Sequence, residues 1–410
     1  MNLTEKLKIL KTQCMSYFVD DQARNFVLFL EDFFPSEKFF GLFGFTFFNR
    51  LHNNTNHCWQ KRIFWTSIVT FIIIMMLVSI NFGLIARDSE RFLEAVESFS
   101  WVSGYGMNIF QIFLLCYWKR AAIMKIVERL DQNFPHSNRE QLQFGVLRHL
   151  RHLKVFYRIC FLTNVWVWIH FNYMPILLLC TGHELELSHP IYFPLDPLQP
   201  LLYPIFFIIQ SWIILLAFSI ATSIGSFVCS LTCVTAMEFD VLAQKLSQID
   251  RENDLNAEKK LKEIIDDYNE LTDITDEIEE IFSSVLLINI FSGIFMLCTC
   301  VFIAFTPIRL YLMIKYIITL PSLLAFVFCI CFFGEQLQTS STRVADEAYN
   351  CNWYGKNLKF RKMILLTMLR AQQAQKLTGM KFMDVGLPVF YWSLQTAHSY
   401  YSLLCGVYKP

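Results

Sequence analysis

The chain alternates between long runs without a single Asp, Glu, Lys or Arg and shorter segments that hold nearly all of the charge. Seven uncharged runs stand out: Ile63–Ala86, Phe99–Trp118, Ile159–Gly182, Leu201–Met237, Ile281–Ile308, Tyr316–Gly334 and Val385–Tyr408. Each approaches or exceeds the ~20 residues that a helix needs to cross a bilayer. The fourth would reach about 55 Å as a helix, so it is expected to continue well past one membrane face. Pro175 and Pro388 fall inside runs, where neighbouring helices can satisfy the freed backbone groups. A barrel would instead show alternating segments of about 10 residues. The pattern predicts an all-α, seven-transmembrane helical membrane protein.

The polar segments carry periodicity of their own. In 238–280, Leu261, Ile264, Tyr268, Leu271, Ile274, Ile278 and Ile281 recur at steps of three and four, which predicts an amphipathic helix running unbroken into the fifth span. The short polar residues around Arg251–Asn256 mark a turn, so 238–280 is read as a helical hairpin. In 335–384, Leu358, Arg361, Leu365, Met368 and Gln372 form a helical strip, with Gly379 as its expected stop. Together these two projections predict a packed layer serving as an oligomer contact, with solvated stalks as the alternative. Phe33, Phe34, Phe39, Phe40, Phe43, Phe45, Phe47 and Phe48 crowd into residues 26–48. Glu31, Asp32, Glu37 and Lys38 interrupt that stretch too often for a span, so an interfacial or re-entrant helix is expected.

Charge sets the orientation. Of the 35 Lys and Arg residues, 30 lie in 1–62, 119–158, 238–280 and 335–384. By the positive-inside bias these segments are cytosolic, which places the amino terminus inside and the carboxy terminus outside. That is the reverse of a G-protein-coupled receptor. The implied organisation is a cytosolic or interfacial segment (1–62), helices one to four (63–237), a cytosolic hairpin (238–280), helices five and six (281–334), a cytosolic anchor region (335–384) and a last helix (385–410). No apolar stretch follows the lysines near Met1, so the first span is expected to act as the insertion signal.

Composition agrees with a membrane protein: 54% of residues are hydrophobic against ~45–50% in soluble domains, and 41 are Phe. Zero formal net charge gives no case for a nucleic-acid partner. None of the 13 cysteines lies in 87–98, 183–200 or 309–315, so a disulfide between those loops is not available. Cys298, Cys300, Cys329 and Cys331 read as small apolar packing residues rather than metal or redox groups. The sequons at Asn2 and Asn53 fall on the predicted inner side and are expected to stay unmodified.

The carboxy-terminal third carries recognisable motifs. Gly334-Glu335-Gln336-Leu337, Ala348-Tyr349-Asn350-Cys351-Asn352-Trp353-Tyr354, Phe360-Arg361-Lys362 and Ser399-Tyr400-Tyr401-Ser402-Leu403-Leu404 follow one another in order. This region resembles the signature region of insect odorant receptors, and the inverted layout of the whole chain is similar to theirs. The resemblance implies a ligand-gated, non-selective cation channel, assembled as a heterotetramer of odorant-tuning and co-receptor subunits. It implies a last helix that lines the pore and cytosolic projections that anchor the subunits. The co-receptor of that family has a long insertion between helices four and five. The corresponding segment here is short, so the chain resembles a tuning subunit of olfactory neurons. Its implied partners are a small volatile odorant, co-receptor subunits, membrane lipid and permeating cations.

In the last run Thr396, Tyr400, Leu403 and Val407 share one helical face. Leu403, Gly406 and Val407 match the family's outer constriction, where apolar rings can close a pore by dewetting. The co-receptor has a polar amide at the place of Gly406, so ion selectivity is expected to depend on the partner. Lipid-facing or bundle-facing packing is the alternative for this face. By the same resemblance the odorant pocket lies in the outer halves of helices two to six, where Trp101, Tyr105, Asn108, Trp166, His170, Tyr173, Phe206, Gln210 and Tyr311 are its candidates. Each has a packing or interfacial alternative. Asn108, His170 and Gln210 are the more informative, because polar groups at membrane depth need a partner.

No HExxH, nucleophile elbow, P-loop or dinucleotide glycine pattern occurs, so neither an enzyme nor a cofactor or metal site is expected. A gustatory receptor channel is the nearest alternative function. A secondary transporter is the alternative from another class, disfavoured because the uncharged runs show no charges along a substrate path and no inverted repeat.

Overall fold

In the computed structural model, residues 28–35, 57–86, 92–135, 137–180, 187–192, 198–199, 201–249, 254–305 and 310–407 are described. Residues 28–33 are helical, and ten further α-helices lie among the described residues. They are α1 (His57–Ile85), α2 (Phe92–Ile112), α3 (Arg120–Asn133), α4 (Asn138–Gln143), α5 (Val146–Cys180), α6 (Tyr203–Ser247), α7 (Asp254–Phe305), α8 (Leu310–Asn350), α9 (Leu358–Ala371) and α10 (Leu387–Val407). A π-helical turn, Phe113–Trp118, follows α2, and the chain bends by 67° between α2 and α3. A two-stranded ribbon, β1 (Thr378–Gly379) with β2 (Met383–Asp384), sits between α9 and α10. The two sequons and Phe39 to Phe48 lie outside the described residues.

Among the described residues four of these helices, α1, α6, α7 and α8, are long and apolar enough to cross a membrane, and the bent α2–α3 pair adds a fifth if it is counted as one span. In α5 the apolar half is interrupted by Asn164, His170 and Asn172. Each donates to a backbone carbonyl: Asn164 to that of Cys160, Asn172 to that of Trp168, and His170 to that of Lys315. In α10, Ser393, Ser399 and Ser402 each return a hydrogen bond to the carbonyl four residues back.

The inner half of α6 is the axis of the core, with almost every residue from Ile220 to Leu246 buried. A helix hidden all round needs small and satisfied side chains. Here Ser226, Ser230, Thr232 and Thr235 bond their own i−4 carbonyls, while Cys229 and Cys233 pack as thiols. The spacing in 261–281 is borne out: Leu261, Ile264, Tyr268, Leu271, Ile274, Ile278 and Ile281 are all buried on one unbroken helix of 52 residues, about 78 Å long. α6 and α7 cross-link through Lys245–Asp267 at 3.2 Å and Phe239 against Tyr268. Of the aromatic amino-terminal stretch, Phe29, Phe33 and Phe34 are buried against Phe134 and Phe227.

Two local expectations are corrected. α9 ends at Ala371, and Gly379 belongs to β1, where Leu287 and Met383 would crowd a Cβ at 3.2 Å. The buried face of α9 is Phe360, Ile364, Thr367, Met368 and Ala371, so Leu358 and Leu365 turn outward.

The motif Gly334–Leu337 acquires a physical explanation. A Cβ on Gly334 would stand 2.3 Å from the Val385 carbonyl oxygen, so only glycine lets the strand leading into α10 press against α8. Glu335 accepts from the Leu387 amide and caps the start of α10, where a carboxylate also meets the positive end of the helix dipole. Gln336 bonds His149 Nδ1 at 2.8 Å, and His149 Nε2 lies 3.0 Å from Asp240, which also accepts from Arg343. One tetrapeptide thus ties α8 to α5, α6 and α10.

Candidate functional site

At the end of the bundle opposite the α6–α7 turn, five helices line a partly open cavity of about 160 Å³. α2 supplies Trp101, Tyr105 and Asn108. α5 supplies Ile159, Thr163, Asn164, Val167 and Phe171, and α6 supplies Ala217, Phe218 and Ala221. α7 adds Asn289 and Met296, and α8 adds Tyr316, Thr319, Leu323 and Phe326. An apolar cavity of about 150 Å³ accommodates a benzene, so this one suits a molecule of roughly one aromatic ring. Trp101 stacks with Tyr105, and Phe171 meets Trp101 edge-on at 5.6 Å, which makes one wall a rigid aromatic panel.

Above that panel lies the loop of residues 187–192. The Gln210 side chain clamps it at both ends of its amide, accepting from the Ser188 N–H and donating to the His189 carbonyl, each at 3.0 Å. His189 stacks on Trp101 at 4.5 Å and places Nε2 3.1 Å from the Tyr105 hydroxyl. Burial, reinforced by the positive Lys315, pulls the His189 pKa down to about 3.

Beside the loop sits a buried charge cluster. Lys315 Nζ donates to Glu97 Oε1 and to the Ser188 carbonyl, both at 2.9 Å, and the Tyr316 hydroxyl donates to the same carboxylate oxygen at 2.6 Å. The ammonium also lies 5.1 Å from the Phe171 ring centroid. His170 Nε2 donates to the Lys315 carbonyl, which fixes its tautomer. This corrects the expectation that no charge lies inside the helical bundle. Glu97 and Lys315 fall just beyond the ends of uncharged runs, but α2 and α8 extend through them.

The candidate residues distribute as follows. Trp101, Tyr105 and Asn108 line the cavity. Gln210 and His170 are buried beside it, holding the loop and the Lys315 backbone respectively. Trp166 and Tyr173 are exposed on the outer side of α5, and Phe206 is half-buried near the start of α6. The side chain of Tyr311 lies outside the described ones. On α10, Tyr400 and Leu403 are exposed, Thr396 is half-buried, and a Cβ on Gly406 would meet nothing within 4 Å. The Val407 side chain is also outside the described ones. Tyr401, on the opposite side of α10, meets Phe305 of α7, while Trp392, in the same helical phase as Leu403, meets Phe291. Val167 and Phe171 were missed on α5. Its inward phase, running 160, 163, 164, 167 and 171, was readable from Thr163 and Asn164, polar residues one helical turn apart from the next apolar pair.

Comparison with known proteins decides the family. The family model described as 7tm Odorant receptor matches residues 91–398. This chain belongs to the insect odorant receptor family. That makes it a multi-pass membrane receptor rather than an enzyme. It is similar to Odorant receptor 85c of Drosophila melanogaster, 22% identical over 360 residues that cover 85% of this chain and 92% of that one. Odorant receptor 67a of the same species is 22% identical, over 92% of this chain and 98% of the relative. In fold the chain is similar to the insect olfactory receptor OR5 from Machilis hrabei, solved in complex with eugenol. The TM-score is 0.79 at 13% identity, covering 93% of this chain and 98% of that one.

Proposed function

We propose that this odorant receptor is the tuning subunit of an odorant-gated, non-selective cation channel. In this reading it is assembled with co-receptor subunits as a heterotetramer in the plasma membrane of olfactory sensory neurons. The observation that carries it is the aromatic cavity among α2, α5, α6, α7 and α8, sized for a small volatile molecule, with a clamped loop packed on its Trp101–Tyr105 wall. On the positive-inside reading of the basic segments, the α6–α7 turn and α9 are cytosolic and the cavity lies toward the outer side. The exposed face of α10 that holds Tyr400 and Leu403 is then the face turned to the pore, with Gly406 and Val407 at its outer mouth and Thr396 below. Apolar side chains there close the pore by dewetting. The exposed Leu358, Leu365, Leu366 and Leu369 of α9 supply the cytosolic contact between subunits.

The test is whole-cell recording from cells that lack other olfactory proteins, with and without a co-receptor, against a broad odorant panel. A rapid cation current that needs the co-receptor and persists under G-protein block is the expected result. Silence from a chain delivered to the surface would overturn the reading.

A further inference from the structure

The cavity has an uneven stock of hydrogen-bonding groups, and that imbalance bears on the class of molecule it takes. Six of its hydroxyl groups commit their protons within the protein. Ser100 donates to the Glu97 carbonyl, Thr163 to that of Cys160, Thr299 to that of Phe295 and Thr319 to that of Lys315. Thr222 donates to the Asn164 side chain and Tyr316 to the Glu97 carboxylate. A carbonyl or ether oxygen entering the cavity finds none of these protons free.

Asn108 is the opposite case. It is 3% exposed, it lines the cavity, and its Nδ2 donates to the Ala217 backbone carbonyl at 3.3 Å. A carbonyl oxygen can only accept, so this bond fixes which end of the amide faces α6. The other end, Oδ1, is buried without a partner, and among the described residues it is the one such atom on a cavity-lining side chain. An unpaired acceptor at membrane depth favours any occupant that brings a proton to it. The rest of the lining is mainly aromatic and aliphatic and selects for shape and size, with Asn289, Ser292 and Ser322 among its other polar groups.

We infer that Asn108 sets ligand class by accepting a hydrogen bond, so that the receptor favours small alcohols and phenols over ethers, esters, aldehydes and hydrocarbons of the same shape. The inference rests on the channel reading above and adds the polarity of the ligand. It also explains why the polar wall is an amide. A carboxylate there would carry a charge into the bundle, whereas a hydroxyl would bond its own i−4 carbonyl and could turn away.

The test uses matched pairs on the full receptor with its co-receptor: benzyl alcohol against benzaldehyde, and 4-methylphenol against 4-methylanisole. The hydroxyl member of each pair is expected to act at a concentration about ten-fold lower, the ratio of one net buried hydrogen bond. In Asn108→Leu that ratio should collapse toward one. A purely structural role for Asn108 would instead weaken both members equally and leave the ratio unchanged. Asn108→Val is the substitute if the leucine variant does not reach the surface, and the wild-type ratio decides even without either. Equal sensitivity to both members, or a preference for the aldehyde and ether, overturns the inference while leaving the channel reading intact. Silence toward the whole panel removes the channel reading and this inference with it.

Discussion

Replacing Lys315 with methionine removes an ammonium that the fold has enclosed almost completely. The side chains of Lys315 and Glu97 are 6% and 10% exposed, with Nζ and Oε1 2.9 Å apart. The substitution leaves a buried carboxylate that accepts from the Tyr316 hydroxyl, and it also removes the bond to the Ser188 carbonyl that holds the loop. Breaking one side of a buried pair costs about 3–5 kcal/mol, whereas replacing both charges by neutral groups is often close to neutral. Glu97→Gln and Lys315→Met should therefore each lower the melting midpoint of detergent-solubilised receptor by roughly 6–10 °C, at about 2 °C per kcal/mol for a large chain. The double variant should recover most of that loss, since it buries no unpaired charge. The assay is thermal melting followed by fluorescence-detected size exclusion. Single variants within about 0.5 kcal/mol of wild type, or a double variant whose loss is the sum of the two, would refute a coupled buried pair.

Three further outcomes follow from other contacts. Gly334→Ala should cost about 2 kcal/mol or more, seen as a lower melting midpoint and reduced surface delivery, because its Cβ would meet the Val385 carbonyl oxygen at 2.3 Å. His189 is held at about 3 against its ordinary 6.5, so in the pH range between those values the opened loop binds more protons than the closed one. The closed loop's advantage is complete above pH 6.5 and shrinks as pH falls toward 3, by about 2 kcal/mol at pH 5. Hydrogen exchange of residues 187–192 should accelerate between pH 7.5 and 5 beyond the intrinsic rate change, and His189→Gln should abolish that excess. Leu403→Ser, wetting the proposed constriction, should produce a standing current without odorant, measured against wild type at equal surface density.

What the sequence made legible was periodicity, and what it obscured was the end of each helix. The steps of three and four from Leu261 to Ile281 marked a helix that the fold keeps as one piece. The start of α5 was less visible. Arg148, Arg151, Lys154 and Arg158 interrupt the apolar signal, yet they lie on the exposed side of a helix whose other side buries Leu150, Leu153 and Phe156. Glu97 and Lys315 were hidden by the same rule: a charge ends an uncharged run, but it does not end a helix when its partner arrives from another. The partner of Glu97 is 218 residues away in the chain, and no local pattern announces such a pair.

Within the pocket, residue type guided the choice more than helical phase. Trp101, Tyr105 and Asn108 share the cavity side of α2, while Trp166 and Tyr173, chosen for their size, lie on the outward side of α5. Ser188 and His189 carried no signal at all, because a loop's role depends on what it covers. Gln210 was singled out as a polar group needing a partner, and its partner is the backbone of that loop.

The central claim, that odorant binding in this cavity opens the channel, is tested most directly by filling the cavity. Ala221 lines the cavity from α6, so Ala221→Phe adds a ring to that space. Odorant-evoked current under G-protein block would be recorded from wild type and variant at matched surface density, each with the co-receptor. The account predicts that the variant loses the response, or needs at least about ten-fold more odorant. An unchanged dose–response curve would place the activating site elsewhere and contradict it.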